Sequence, residues 1–89
     1  MNVLRELIDS KVAKILDIFI VNKSKFFHLS MVSKRSKVPV SSTFRIINSL
    51  VNLGVLEQMK VGKMKIYRLA ENEKAGEVAK IFEKGKKNG

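Results

Sequence analysis

The sequence predicts an α+β, mostly helical fold: a winged helix-turn-helix with a three-helix core and a β-hairpin wing, plus helical segments at both termini. Two observations predict it. Apolar residues recur at helical spacing up to a glycine near the middle of the chain, and two β-rich runs around a second glycine follow. The 89 residues allow one domain, 1–89, divided into an N-terminal helix (1–9), a winged helix-turn-helix core (10–69) and a C-terminal helix with a frayed tail (70–89).

The first two helices are predicted from apolar spacing. Apolar pairs occur in the segment Met1 to Ile8, and Ser10 then has the residue type of an N-cap for a second helix from Lys11 to about Asn22. This second helix carries one apolar stripe, which must pack on the rest of the domain. The stripe consists of Val12, Ile15, Leu16, Phe19 and Ile20.

A short strand and a short helix come next. Phe26 to Leu29 is long enough for a small strand, and Ser30 is the predicted N-cap of a helix from Met31 to about Ser36. Val38-Pro39 ends that helix, because the residue before a proline avoids the α region.

The longest amphipathic segment predicts a helix from Ser41 to Leu53, which Gly54 ends in the left-handed region. On a helical wheel, one side is apolar apart from a threonine and the opposite side is entirely polar, so we expect the first to be core. The core side comprises Thr43, Phe44, Ile46, Ile47, Leu50, Val51 and Leu53. The polar side comprises Ser41, Ser42, Arg45, Asn48, Ser49 and Asn52.

The predicted wing is a hairpin. Val55 to Val61 and Met64 to Leu69 favour strands, with Gly62-Lys63 as the turn between them. A last amphipathic helix is predicted from Glu73 to Lys84, and the tail from Lys84 to Gly89 is expected to fray.

Charge indicates the class of partner. The net charge is +10 with a pI near 10.2, and between Ile18 and Leu56 there are six basic residues and no Asp or Glu. Such a chain favours nucleic acid or an anionic membrane. The longest run without charge, Ile46 to Leu56, is far below the roughly 20 residues that cross a bilayer, and charges interrupt the first apolar block. We therefore predict a cytoplasmic chain without a membrane partner.

Catalytic and metal-binding constellations are missing from the sequence. There is no cysteine, the only histidine is His28, and no histidine lies near paired carboxylates. We predict that the chain is not an enzyme and that it has no metal site and no cofactor.

The polar side of the 41–53 helix has the residue types that read double-stranded DNA in the major groove. Arg45 can pair with guanine, Asn48 or Asn52 with adenine, and hydroxyls at the helix start can hold a phosphate. The alternative to DNA contact is that these polar side chains are simply solvated. The predicted contacts on this helix are Ser41, Ser42, Thr43, Arg45, Asn48, Ser49 and Asn52.

Lysines and one arginine flank this helix and predict contacts to the DNA backbone. They are Lys34, Arg35 and Lys37 before the turn, and Lys60, Lys63 and Lys65 around the wing tip, where the minor groove is also within reach. For Lys63, protection of the hairpin against aggregation is an equally good explanation.

The chain resembles winged helix-turn-helix transcription regulators of the broad MarR/ArsR type, particularly small archaeal ones. The residues that carry the resemblance are SKVAKILDIFI (10–20), HLS (28–30), VPVSSTFRIINSLVNLGVLE (38–57) and KIYRL (65–69). The resemblance implies the fold and a DNA-binding regulator, but not which sequence is bound. Such families often carry glycine in the turn, so here Lys37 either adopts a positive φ or the turn is built differently. The Cys or His clusters of their metal sensors are missing.

These observations predict a homodimeric, sequence-specific regulator with one recognition helix per half-site. Apolar residues left over on both terminal segments predict the dimer interface. They are Val3, Leu4, Leu7, Ile8, Val78, Ile81 and Phe82. Two alternatives stay open, namely a winged helix that docks a protein partner and a protein that coats DNA without sequence preference. An effector, if one exists, is unknown.

Overall fold

The computed structural model describes residues 10–87, and the predicted N-terminal helix over 1–9 lies outside them, with Val3, Leu4, Leu7 and Ile8 of the predicted interface. Four helices and three strands follow one another as predicted for a winged helix-turn-helix. They are α1 (Ser10–Val21), β1 (Phe27–His28), α2 (Leu29–Ser36), α3 (Val40–Asn52), β2 (Leu56–Val61), β3 (Met64–Leu69) and α4 (Glu73–Lys87).

The three strands form one antiparallel sheet in the order β1-β3-β2. β2 and β3 pair along their full length, from Leu56 opposite Leu69 to Val61 opposite Met64, and make the wing. The two residues of β1 pair with Tyr67 and Ile66 of β3. β1 therefore ties the base of the wing to the helices, while the outer half of the hairpin extends beyond it.

The core lies between the apolar stripes of the helices and the base of the sheet. Ile15 and Phe19 of α1, Ile47 of α3 and Tyr67 of β3 are almost fully buried. The rings of Phe19 and Phe27 meet edge to face with centroids 5.6 Å apart, a favourable geometry for aromatic pairs. Burial raises the pKa of the Tyr67 phenol.

Three predicted helix starts are wrong by one or two residues. Ser10, the predicted N-cap of α1, already lies within that helix. α2 begins at Leu29 with His28 as its N-cap residue, whereas Ser30 was the predicted cap. The Ser30 hydroxyl instead makes a hydrogen bond of 2.8 Å with Nδ1 of His28. Because the helix begins this early, β1 is limited to two residues and does not reach Leu29.

α3 begins at Val40, with Pro39 before it, because the fixed φ of proline suits a helix entrance. Its end is a Schellman motif. Gly54 has φ 83°, as predicted, and the N–H groups of Gly54 and Val55 donate to the carbonyls of Val51 and Leu50. The last helix, α4, is longer than predicted: it continues through Lys87 and not only to Lys84.

Candidate nucleic-acid interface

The turn between α2 and α3 is made without glycine. Lys37 has φ 59° and ψ 29°, which is the left-handed conformation, so the first of the two alternatives for this turn is correct. A lysine there is uncommon, because its Cβ crowds the backbone and nothing in the side chain offsets the cost. Bonds made by the neighbouring residues must therefore hold the turn.

Three buried hydroxyls supply those bonds. Ser33 donates to the carbonyl of Val38 at 2.6 Å, and Thr43 donates toward the carbonyls of Val38 and Pro39 at 3.2 and 3.0 Å. Ser36 donates to the carbonyl of Val32 at 2.7 Å and accepts from the N–H of Val38 at 3.3 Å. The carbonyls and N–H of the turn are thus satisfied from inside the fold, as buried polar groups require.

This network corrects the prediction for one site residue. Thr43 was expected to contact a phosphate, but it is fully buried and its hydroxyl is used within the turn. Its backbone N–H is also used, since it donates to the carbonyl of Pro39 at 2.9 Å. Thr43 is therefore a structural residue of the turn and not a candidate DNA contact.

The other predicted contacts on α3 lie on its outer side. Thr43, Ile47 and Leu50 are the buried residues of the helix and define the inward direction. The residues roughly opposite them are polar. Ser41, Arg45, Ser49 and Asn52 are exposed, and Ser42 and Asn48 are partly buried.

Two residues that were predicted to be core are largely exposed. Phe44 is 45% exposed and Leu53 is 56% exposed. The centre of the buried stripe lies between Ile47 and Leu50, and Phe44 and Leu53 are each about 90° away from that centre, on opposite flanks. The apolar stripe is therefore narrower than a wheel centred on Ile47 predicts.

Phe44 is a candidate contact that sequence reasoning missed. Its ring lies on the flank of α3 next to Ser41 and Asn48, and Val40, one turn earlier, is also exposed. The available signal was the position of Phe44 relative to the whole buried stripe, not to a single residue.

The predicted backbone contacts before the turn are all exposed. Lys34 and Arg35 lie in the last turn of α2 and Lys37 in the connection to α3. The guanidinium of Arg35 lies 5.1 Å from the ring centroid of Phe27, within the range of a cation–π contact. This contact orients the Arg35 head group without neutralising it.

The basic side chains fall into two groups, those that form an ion pair within the fold and those that do not. Arg68 binds the carboxylates of Glu57 and Glu71 and lies over the ring of Phe26, and Lys23 pairs with Glu83 of α4 at 3.6 Å. Within residues 10–87, the candidate cations have no ion pair with a carboxylate. They are Lys34, Arg35, Lys37, Arg45, Lys60, Lys63 and Lys65. Their charges are free to attract an anionic partner.

The C-terminal end of α3 is fastened to the start of α4, which the sequence did not reveal. The Lys74 ammonium donates to the carbonyl of Leu53 at 2.9 Å, and the Asn72 amide donates to the carbonyl of Gly54 at 2.9 Å. The Asn72 side-chain oxygen also accepts from the N–H of Ala75 at 2.8 Å, as an N-cap does. One short segment therefore caps two helices and sets the angle between them.

The predicted interface residues on α4 fall into two groups. Val78 and Phe82 are half-buried against the core, while Ile81 is 51% exposed. Part of this stripe is therefore used inside the subunit, and Ile81 remains available for another surface.

A shallow groove runs along one flank of α3, beside the start of α1. Arg45 and Ser49 line it together with Val12 and Leu53, and Lys11 stands at its edge. Over residues 10–87, no group of three or more His, Asp or Glu residues could hold a metal ion. In the same part of the chain, no helix is long and apolar enough to span a membrane.

The fold and this surface together define a winged helix-turn-helix domain with a polar outer helix face and a basic surround. Residues 10–60 match the family model of the IclR helix-turn-helix domain, which is more than half of the chain. The chain belongs to the family of IclR helix-turn-helix domains, which confirms the predicted winged helix-turn-helix class and the prediction that the chain is not an enzyme.

Solved structures agree with the fold. A MarR family transcriptional regulator from Silicibacter pomeroyi DSS-3 is 13% identical with a TM-score of 0.74; the alignment covers 97% of this chain but only 60% of the regulator. TubR of a type III plasmid segregation system is 22% identical, with a TM-score of 0.72 over 88% of this chain and 76% of TubR. A possible transcriptional regulator from Methanosarcina mazei Go1 is 14% identical, with a TM-score of 0.67 over 91% of this chain and 72% of that protein. No curated protein is significantly similar in sequence.

Proposed function

We propose that this chain is a sequence-specific transcription regulator that binds double-stranded DNA with α3 in the major groove and the wing on the backbone or in the minor groove. The observation that carries the proposal is the outer side of α3, which is polar, largely exposed and next to cations that pair with no carboxylate of residues 10–87. A helix of this length is about 20 Å long and fits a major groove about 12 Å wide.

Base recognition is proposed for three kinds of side chain on that face. Arg45 can donate two hydrogen bonds to O6 and N7 of guanine, and Asn48 or Asn52 can pair with N6 and N7 of adenine. Phe44, exposed beside them, offers an apolar surface to the methyl group of thymine. A correct pair of this kind discriminates between bases by about 1–3 kcal/mol.

Affinity without sequence preference is assigned to the surrounding cations. Lys34, Arg35 and Lys37 are proposed to contact phosphates on one side of α3, and the wing lysines on the other. Ser41, Ser42 and Ser49 add hydroxyl contacts to the same backbone. If about six phosphates are contacted per subunit, counterion release predicts a logarithmic salt slope of about −5 per subunit.

A homodimer in the cytoplasm is the form we propose for the regulator. Two copies would place their α3 helices in half-sites about 34 Å apart, on a DNA site with approximate two-fold symmetry. Support comes from Ile81 on α4, because its side chain is exposed and adds little to the core of a monomer. A purely monomeric species of about 10 kDa in sedimentation at micromolar concentration would remove this part of the proposal.

Two other functions make different predictions for the same experiment. The wild-type protein is mixed with a pool of random-sequence duplexes, bound fragments are selected at rising salt, and their sequences are read. A regulator enriches a motif that resists salt, whereas a protein that coats DNA binds without enrichment at any salt. Absence of binding at low salt would favour a module that docks a protein partner, and would contradict the proposed function.

A further inference from the structure

The outer half of the wing exposes large apolar side chains. Met59 is 47% exposed, Val61 57% and Met64 53%. The tip of a hairpin is usually polar, because apolar side chains there gain nothing from the core and make an edge strand prone to aggregate. We therefore expect a partner outside the subunit to cover these three side chains.

The strand register brings them onto one face. Val61 is opposite Met64, and Met59 is opposite the half-buried Ile66, so these four side chains project from the same side of the sheet. Lys60 is opposite Lys65, and this pair projects from the other side. The tip is thus apolar on one face and cationic on the other, with Lys63 in the turn.

The positive charge of the hairpin indicates that the partner is a polyanion. The hairpin has no acidic residue from Gln58 to Ala70, and its three lysines have no carboxylate partner within residues 10–87. The first strand of the wing also follows α3 after only three residues, through the hydrogen bonds of Gly54 and Val55. The base of the wing is therefore held against the end of the proposed major-groove helix, and a duplex bound by that helix is the polyanion that the tip would meet.

We propose that Val61 and Met64 form an apolar wedge that enters the minor groove of the bound duplex, partly unstacks a base step and kinks the DNA. This inference rests on the proposed function. Apolar side chains that enter the minor groove act in this way and kink a duplex by about 20–90°. Lys60 and Lys65, on the opposite face of the ribbon, and Lys63 in the turn hold phosphates beside the widened groove.

The dimensions favour a wedge over simple docking. The two strands of a hairpin are about 5 Å apart, and with side chains the ribbon is wider than a minor groove of about 6 Å. Only the side chains at the tip can enter, and they fit when the groove opens. A kink opens it, and flexible pyrimidine–purine steps kink most easily. The wedge therefore also predicts a preference for such a step in the flank of each half-site.

The test compares the wild type with the double variant Val61→Thr/Met64→Gln. Both substitutions keep side-chain size and strand compatibility at exposed positions, so the fold should be retained. Val21→Thr, at another exposed valine, is the matched control. The probe is a duplex selected by the wild-type protein from a random pool, carrying 2-aminopurine at successive flanking steps and a donor and acceptor dye at its ends.

The wild type and Val21→Thr should raise 2-aminopurine fluorescence at one flanking step and shorten the distance between the dyes. The double variant should lose both signals and bind the selected duplex about fivefold more weakly, a modest change for partial burial of two apolar side chains. Unchanged fluorescence and dye distance in the double variant would overturn the wedge. So would a loss of dimer in sedimentation with the kink retained, because the apolar face would then bind a second copy. Failure of the wild type to bind any duplex would instead contradict the proposed function.

Discussion

The hydroxyl-bearing side chains of the helix-turn-helix divide into two regions with opposite uses. In the turn, Ser33, Ser36 and Thr43 are buried, and each hydroxyl has a partner inside the fold. On the outer side of α3, the hydroxyl of Ser41 faces solvent beside Arg45 and Asn52. Residue type is therefore a poor guide to role here, and the direction of the side chain relative to the buried stripe decides.

The difference is one of energy as well as position. A buried hydroxyl that loses its partner leaves an unsatisfied group, whereas an exposed one exchanges its partner for water at little cost. Substitutions in the turn should therefore lower the stability of the fold without altering base preference. Substitutions on the outer face should do the reverse, and the following predictions test this separation.

Arg45→Ala should have the largest effect on binding. Loss of two hydrogen bonds to guanine is expected to weaken specific binding by about 1–3 kcal/mol and to relax the preference at one base pair. Binding curves on the selected duplex and on a random duplex measure both. The thermal midpoint should be unchanged, because the residue is exposed. Equal weakening on both duplexes would reduce Arg45 to a phosphate contact.

Thr43→Val should have the largest effect on stability. The substitution keeps the shape but removes the donor to the turn carbonyls, at an expected cost of about 1–2 kcal/mol in the free energy of unfolding. Ser41→Ala is the matched control on the outer face and should change stability by less than about 0.5 kcal/mol. Urea unfolding measures both variants. If Thr43→Val were as stable as the wild type, the inner hydroxyls would not be what holds the turn.

Asn72→Ala should destabilise the joint between α3 and α4 by about 1 kcal/mol, because it removes an N-cap and the bond to Gly54. Asn72→Asp separates the two roles, since it keeps the oxygen that caps α4 but loses the donor to the Gly54 carbonyl. Urea unfolding should place Asn72→Asp between the wild type and Asn72→Ala. An aspartate variant as unstable as the alanine variant would argue against the cap.

Lys63→Ala should have the smallest effect, and one of a different kind. We expect all duplexes to be bound more weakly to a similar degree, with the logarithmic salt slope reduced by about 1 because one phosphate contact is lost. Titrations at several salt concentrations measure the slope. A slope equal to that of the wild type would favour the alternative that Lys63 protects the hairpin against aggregation.

Much of the fold could be predicted from the sequence. The order and type of the elements could be predicted because they depend on local features. Apolar residues at helical spacing, such as Ile15 and Phe19, predicted the helices, and Gly54 and Gly62 predicted a helix end and a turn. The error at Ser30 arose from treating a hydroxyl as a cap, and the start of α3 was placed one residue late, at Ser41. His28 and Pro39 precede the two helices without any side-chain cap.

The site was harder to predict, because it depends on contacts between distant residues. Thr43 has a hydroxyl that is suited to a phosphate contact, and only the packing of the turn reveals that this side chain is buried. Lys74 lies 21 residues from its acceptor, the Leu53 carbonyl, so no local pattern contains that bond. Prediction of the apolar wing face requires the register of β2 against β3, and the alternation of residues within one strand does not give that register.

The central claim is that the outer side of α3 reads base edges in the major groove, with Arg45 on guanine. Methylation of guanine N7 by dimethyl sulfate reports on that atom directly. On the selected duplex, the wild type should protect one guanine in each half-site, and Arg45→Ala should restore its reactivity while the contacts to flanking phosphates remain. Guanines that stay reactive under saturating wild-type protein, or protection that Arg45→Ala leaves unchanged, would contradict the claim.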